Sequence, residues 1–183
     1  MFRKPACLFT AFALCLSLAD AAQEKTFSLT AQPLYAVVPA LEVTGEYALT
    51  QNAGAAAILG FGVPTAKDDV GDKLTIPMLR MGGQFLYYPV GSFRHGMQLG
   101  AQTLWIKVFP PEHKGVTVTG NGLMIGPIAG YKWAASFGLT FSAQAGWGFL
   151  FFKAHATDRN GQEVDGNSDS SGPTLNGNMG WSF

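Results

Sequence analysis

Large apolar side chains in this chain recur at every second position, and from Thr26 to Phe183 they keep largely to odd numbers. A period of two belongs to the β-strand, whose successive side chains point to opposite faces. The final segment shows the pattern in short form. Leu175, Met179, Trp181 and Phe183 fall on one side with Gly177, while Asn176, Asn178, Gly180 and Ser182 fall on the other. A terminal strand in water tends to fray. A ring on the last residue is better accommodated in a membrane interface, where aromatic side chains are favoured.

The same alternation divides the preceding chain into strands and turns. Strands are predicted over Thr26–Val37, Leu41–Leu49, Ala55–Val63, Leu79–Pro89, Met97–Phe109, Asn121–Trp133 and Leu139–Phe152, with Leu175–Phe183 last. Gln51–Gly54, Gly91–Gly96 and Ala134–Gly138 carry the small and polar residues of tight turns. These turns recur about every forty residues, as a repeated hairpin pair would. Between them lie Pro64–Pro77, Pro110–Gly120 and Lys153–Pro173, read as polar loops, the last being the longest. The connection at Pro39 breaks this trend by being tight. The expected fold is all-β: an eight-stranded antiparallel up-and-down transmembrane β-barrel, with short turns at one end and long loops at the other.

Two arrangements of such a barrel are possible. A soluble barrel would bury the odd face in its lumen and wet the even face. The even face carries Glu42, Glu46, Arg80, Gln84, Gln98, Gln102, Lys132, Gln144, Asn176 and Asn178 among many small residues, too little bulk to fill a dry core. The odd face sets Tyr47, Phe61, Tyr87, Trp133, Phe151 and Trp181 near strand ends, where a membrane barrel has its aromatic girdles. Strands of about nine to thirteen residues also suit a tilted span. Charged residues make up 13% of the chain and net charge is zero, which points away from a nucleic-acid partner.

The closing strand resembles the last strand of bacterial outer-membrane β-barrels, whose terminal aromatic the barrel-assembly machinery recognises; Trp181 and Phe183 would be that assembly signal. Glycine usually stands five positions before the terminal aromatic; here Asn178 does, near Gly177 and Gly180. The chain as a whole resembles the small barrels of the OmpA transmembrane domain, OmpX and opacity-protein type. The resemblance implies a monomer in the cell outer membrane, touching outer-membrane lipid and lipopolysaccharide. It also implies a structural, membrane-integrity or adhesion role, with host or surface ligands met through the loops. Residues 1–21 read as a secretory signal peptide: Arg3 and Lys4, an apolar run from Ala6 to Leu18, then Ala19-Asp20-Ala21. Residues 22–183 form the barrel. Cys7 and Cys15 both precede the expected cleavage point, so neither disulfide nor thiol chemistry is expected in the exported part.

An eight-stranded lumen holds only side chains. Glu42, Glu46, Arg80 and Lys132 are therefore candidates for an internal charge network, since an unpaired buried charge costs several kcal/mol. A plug of ion pairs and amides, or a narrow ion path through them, would use the same residues. Catalytic, cofactor-binding and metal-binding residues are not expected. His95, His113 and His155 match no compact metal motif. Some outer-membrane barrels modify lipid A, and His155, Asp158 and Ser168-Asp169-Ser170 supply suitable residue types. They fall in what reads as a flexible loop, which supports catalysis poorly. The arrangement of a strand-borne histidine two residues before serine is missing, because His95 is followed by Gly96 and Met97. Asp68, Asp69 and Asp72, or Asp165 with Asp169, read as solvated loop charge without a calcium-loop pattern.

Overall fold

The computed structural model describes residues 25–33, 40–63, 65–67, 73–109, 117–157 and 163–183. The expected signal peptide, the tight connection at Pro39, Asp68, Asp69, Asp72, His113 and Asp158 all lie outside them. The strands are β1 (Phe27–Ala31), β2 (Ala40–Thr50), β3 (Ala53–Gly62), β4 (Thr65–Lys67), β5 (Lys73–Thr75), β6 (Met78–Gly91), β7 (His95–Val108), β8 (Thr117–Ala134), β9 (Leu139–Thr157) and β10 (Glu163–Ser182). Eight of them close into an antiparallel barrel in the order β1-β10-β9-β8-β7-β6-β3-β2, so each neighbours its sequence partner except where β4 and β5 form a separate small hairpin. The expected all-β, up-and-down fold is the fold observed.

Closure occurs between the first and last strands. Ser28 pairs with Ser182 and the register runs to Ala31 with Met179. The backbone N–H groups of Thr26 and Phe27 both donate to the carbonyl of Phe183, and Phe183 N–H donates to the carbonyl of Phe27. The rings of Phe27 and Phe183 stack outside this joint, 6.4 Å between centroids.

The outer wall is apolar. Leu41, Leu59, Phe61, Phe85, Tyr131 and Leu175, all at odd positions, are between 54% and 72% exposed. Glu42, Glu46, Gln84, Gln98 and Lys132, at even positions, are buried inside. A soluble barrel would show the reverse, since continuous exposed apolar surface of this kind is costly in water.

Three expectations are corrected. Lys153–Pro173 is not a loop: β9 runs on to Thr157 and β10 starts at Glu163, paired from Glu163–Thr157 down to Trp181–Leu139. Asp, Asn, Ser and Gly are poor strand formers, yet both faces of a hairpin beyond the rim meet water, so no apolar alternation is needed there. The stretch read as a loop before Gly120 likewise begins β8 at Thr117. Within Pro64–Pro77, Thr65–Lys67 pairs with Lys73–Thr75.

A small barrel bends its strands sharply, and inward-facing glycines allow this. At Gly126 an added Cβ would run into the carbonyl oxygen of Trp147. The β8–β9 ladder breaks at the same place, passing from Ile125–Phe149 to Ile128–Gly146 around Pro127, whose missing N–H makes it a poor ladder member. Gly126→Ala should therefore destabilise the barrel by at least ~1–3 kcal/mol, read as a lower urea midpoint for the purified protein in lipid vesicles.

Candidate functional site

The lumen holds the charges that the sequence singles out, at two levels. Near the short-turn end, Lys132 (β8) is 1% exposed. Its Nζ donates to Glu46 Oε2 (β2) at 2.7 Å and to Ser28 Oγ (β1) at 3.0 Å. Tyr88 Oη (β6) donates to the other Glu46 oxygen, Oε1. The lysine thus reaches Glu46 from across the barrel, with all of its surroundings taken from different strands.

Phe93 closes this end from below. It sits in the turn between β6 and β7, and is only 4% exposed. Lys132 Nζ lies 3.5 Å from the centre of its ring, a cation–π contact that is strongest where water is excluded. The turn is held inward by its neighbour. Phe93 N–H donates to Gln51 O, and Asn52 Nδ2 donates to the carbonyls of Tyr88 and Gly91 at 3.0 and 3.3 Å. Gly91, with φ of +91°, supplies the left-handed residue that this turn requires.

Above the lysine, amides form a directed chain. Asn176 donates to Gln102 at 3.3 Å, and Gln84 donates to both Gln102 and Gln144 at 3.4 and 3.2 Å. Gln144 donates to Gln98, and Gln98 to Tyr88 Oη, each at 3.0 Å. An amide both donates and accepts, so such a chain fills a dry lumen without adding net charge. At the upper level Arg80 Nη1 (β6) lies 3.2 Å from Glu42 Oε2 (β2). This is ion-pair distance, although Glu42 Oε2 takes no hydrogen bond of good geometry among the described residues. The four charges therefore stand as two opposite-sign pairs, Glu46–Lys132 and Glu42–Arg80, with the amides between.

Outside the lumen, His155 Nδ1 and Asp165 Oδ1 are 2.5 Å apart across β9 and β10. Both side chains are more than half exposed, where ion pairing contributes little. His155 and Ser168-Asp169-Ser170 lie on strands rather than in a flexible loop, but the register sets Ser168 against Phe152 and Ser170 against Leu150, away from His155. His95 begins β7 at the opposite end. Among the described residues, three or more His, Cys, Asp or Glu side chains do not converge on a metal-sized site.

The sequence matches no protein-family model and no curated protein. In fold, it is similar to the crystal structure of a major outer membrane protein from Thermus thermophilus. The TM-score is 0.53 at 15% identity, over 88% of this chain and 100% of the other. That likeness concerns architecture: an all-β, closed, antiparallel ring.

Two features of the lumen escape a reading by face alone. Phe93 is an odd-numbered aromatic in a turn, held inward by its backbone bond to Gln51 and by ring contacts with Tyr88 and Lys132. The even face is also more apolar than its amides suggest. Leu86, Tyr88 and Ile128 form a buried cluster with Phe93, and Leu104, Met124, Leu150 and Phe152 share the same parity. Their even numbers were the available signal.

Removing one partner of a buried ion pair leaves the other charge stranded. Lys132→Met should cost about 3–5 kcal/mol, measured as the shift in urea unfolding free energy. Lys132→Met combined with Glu46→Gln should recover most of that loss, because no uncompensated charge remains.

Proposed function

We propose that this chain is an integral outer-membrane β-barrel of the small OmpA, OmpX and opacity-protein kind, with a non-enzymatic structural or surface-interaction role. The observation that carries this reading is the inverted wall: large apolar side chains outside, ion pairs and amides inside. Only a hydrocarbon surrounding makes that distribution favourable, and closure leaves no strand edge in it. The fold likeness to a major outer membrane protein supports the same setting. The partners that follow are outer-membrane lipid and lipopolysaccharide on the wall, and the barrel-assembly machinery at Trp181 and Phe183. Host or surface ligands would be met at the hairpins of the long-loop end, the β9–β10 extension first among them. The barrel acts as a monomer.

The lumen supports a plug rather than a pore. Lys132, Glu46, Tyr88 and Gln98 are each at most 7% exposed, and Phe93 lies under them. An ion crossing this level would have to part a paired charge and an amide chain.

Heat-modifiable migration of the protein from fractionated outer membranes is the direct test. The folded form should run separately from the boiled form, and planar bilayers containing it should show no steady conductance. Recovery in the soluble periplasmic fraction would overturn the membrane assignment. Loss of a lipid A modification in cells carrying His155→Ala, seen by mass spectrometry, would overturn the non-enzymatic one.

A further inference from the structure

Among the described residues, side chains close the lumen at the short-turn end, whereas inward-facing ones in its other half keep partial exposure. Above the amides, the inward-facing positions of β7, β8 and β9 are Leu104, Ile106, Val108, Met124, Leu150 and Phe152. Leu104 is buried, but the other five are only half-buried. Inward-facing apolar side chains that keep partial exposure border accessible space.

Glycine makes that space. Gly120 and Gly122 face inward on β8, and an added Cβ at Gly122 would stand 2.8 Å from Cδ2 of Phe152, with the same ring over Gly120. The ring therefore lies along the wall instead of across the mouth. On β10, Gly172 faces inward, and a Cβ added there would meet nothing within 4 Å. Gly172 stands two inward positions beyond Asn176, as Arg80 stands two beyond Gln84, so both lie over the amide floor. From Leu104 to Val108 the apolar wall rises by four residues, roughly 10 Å along a tilted barrel.

The far side of this cup carries the Glu42–Arg80 pair. The Arg80 side chain is 18% exposed and that of Glu42 only 5%, so the cation is the more accessible member of the pair. We propose that the cup binds an anionic amphiphile with one hydrocarbon chain, of the medium-chain fatty-acid class. Its carboxylate would lie toward Arg80 and the amides Gln84 and Gln102. Its chain would run along Ile106, Met124, Leu150 and Phe152 toward the mouth, displacing water that hydrates this wall poorly. Arginine suits this head group because its planar fork matches a carboxylate. The proposal rests on the reading of the chain as a membrane barrel whose long-loop end faces outward.

The test uses the full exported chain, folded into lipid nanodiscs and confirmed as a barrel by heat-modifiable migration before any binding is measured. Failure at that step counts against the membrane reading alone. Isotope-labelled decanoate is then titrated against barrel-bearing and empty discs. Saturable uptake beyond that of empty discs is expected, and Gly172→Trp, which fills the cup where there is room, should abolish it. A Cβ added at Gly166 also meets nothing within 4 Å, but that position lies nearer the tip of the hairpin, so Gly166→Trp should leave uptake unchanged. Arg80→Gln combined with Glu42→Gln, which removes the cation together with its paired carboxylate, should weaken decanoate about tenfold or more. Equal uptake by barrel-bearing and empty discs, or uptake that survives Gly172→Trp, overturns the proposal.

Discussion

Barrel closure is the constraint on which the rest depends. A strand edge exposes a row of backbone donors and acceptors, and in a wall with an apolar exterior these have nowhere else to bond. The chain meets this by joining its first and last strands over a short seam, Ser28–Ser182 to Ala31–Met179. The carbonyl of Phe183 extends the seam by accepting from Thr26 and Phe27. The terminal aromatic thus has two parts to play, a ring stacked on Phe27 outside and a backbone that completes the ring of strands.

Closing on eight strands fixes a narrow lumen, and the inward-facing residues follow from that. Glycine is used where strands crowd, as at Gly126 against the Trp147 carbonyl. Among the described residues, the buried charges are paired, Lys132 with Glu46 and Arg80 with Glu42. The amides of Gln84, Gln98, Gln102 and Gln144 fill the space between without net charge. Phe93 then shuts the short-turn end, held by hydrogen bonds from the adjacent β2–β3 turn. Phe93 and the polar network seal that end, and at the other, among the described residues, Gly120 and Gly122 let the Phe152 ring lie against the wall.

Much of the architecture was legible in the sequence because burial of one face enforces a period of two. Leu41, Phe85 and Leu175 announce the outer wall, and Glu46, Gln98 and Lys132 the inner one. Alternation is lost where that constraint lapses. From Val164 to Ser171, β10 is exposed on both faces, so a strand held by backbone pairing with β9 carries the composition of a loop. Phe93 was hidden for a different reason: its direction is set by the contact of two turns far apart in sequence, and no local pattern encodes that. The apolar outer half of the lumen, by contrast, stood in the even positions of β7 to β9 and was obscured by the more conspicuous amides.

Odd-numbered side chains of the barrel strands face outward and even-numbered ones face the lumen, and a bilayer around the wall would make that difference measurable. Both cysteines, Cys7 and Cys15, fall within the expected signal peptide, so single cysteines can be introduced along β7 and nitroxide-labelled without interference. In lipid vesicles, labels at Leu99, Ala101 and Thr103 should show high collision rates with oxygen dissolved in the bilayer, and labels at Gln98, Gly100 and Gln102 low ones. Uniform oxygen access along β7, or access that peaks at the even positions, would contradict the account.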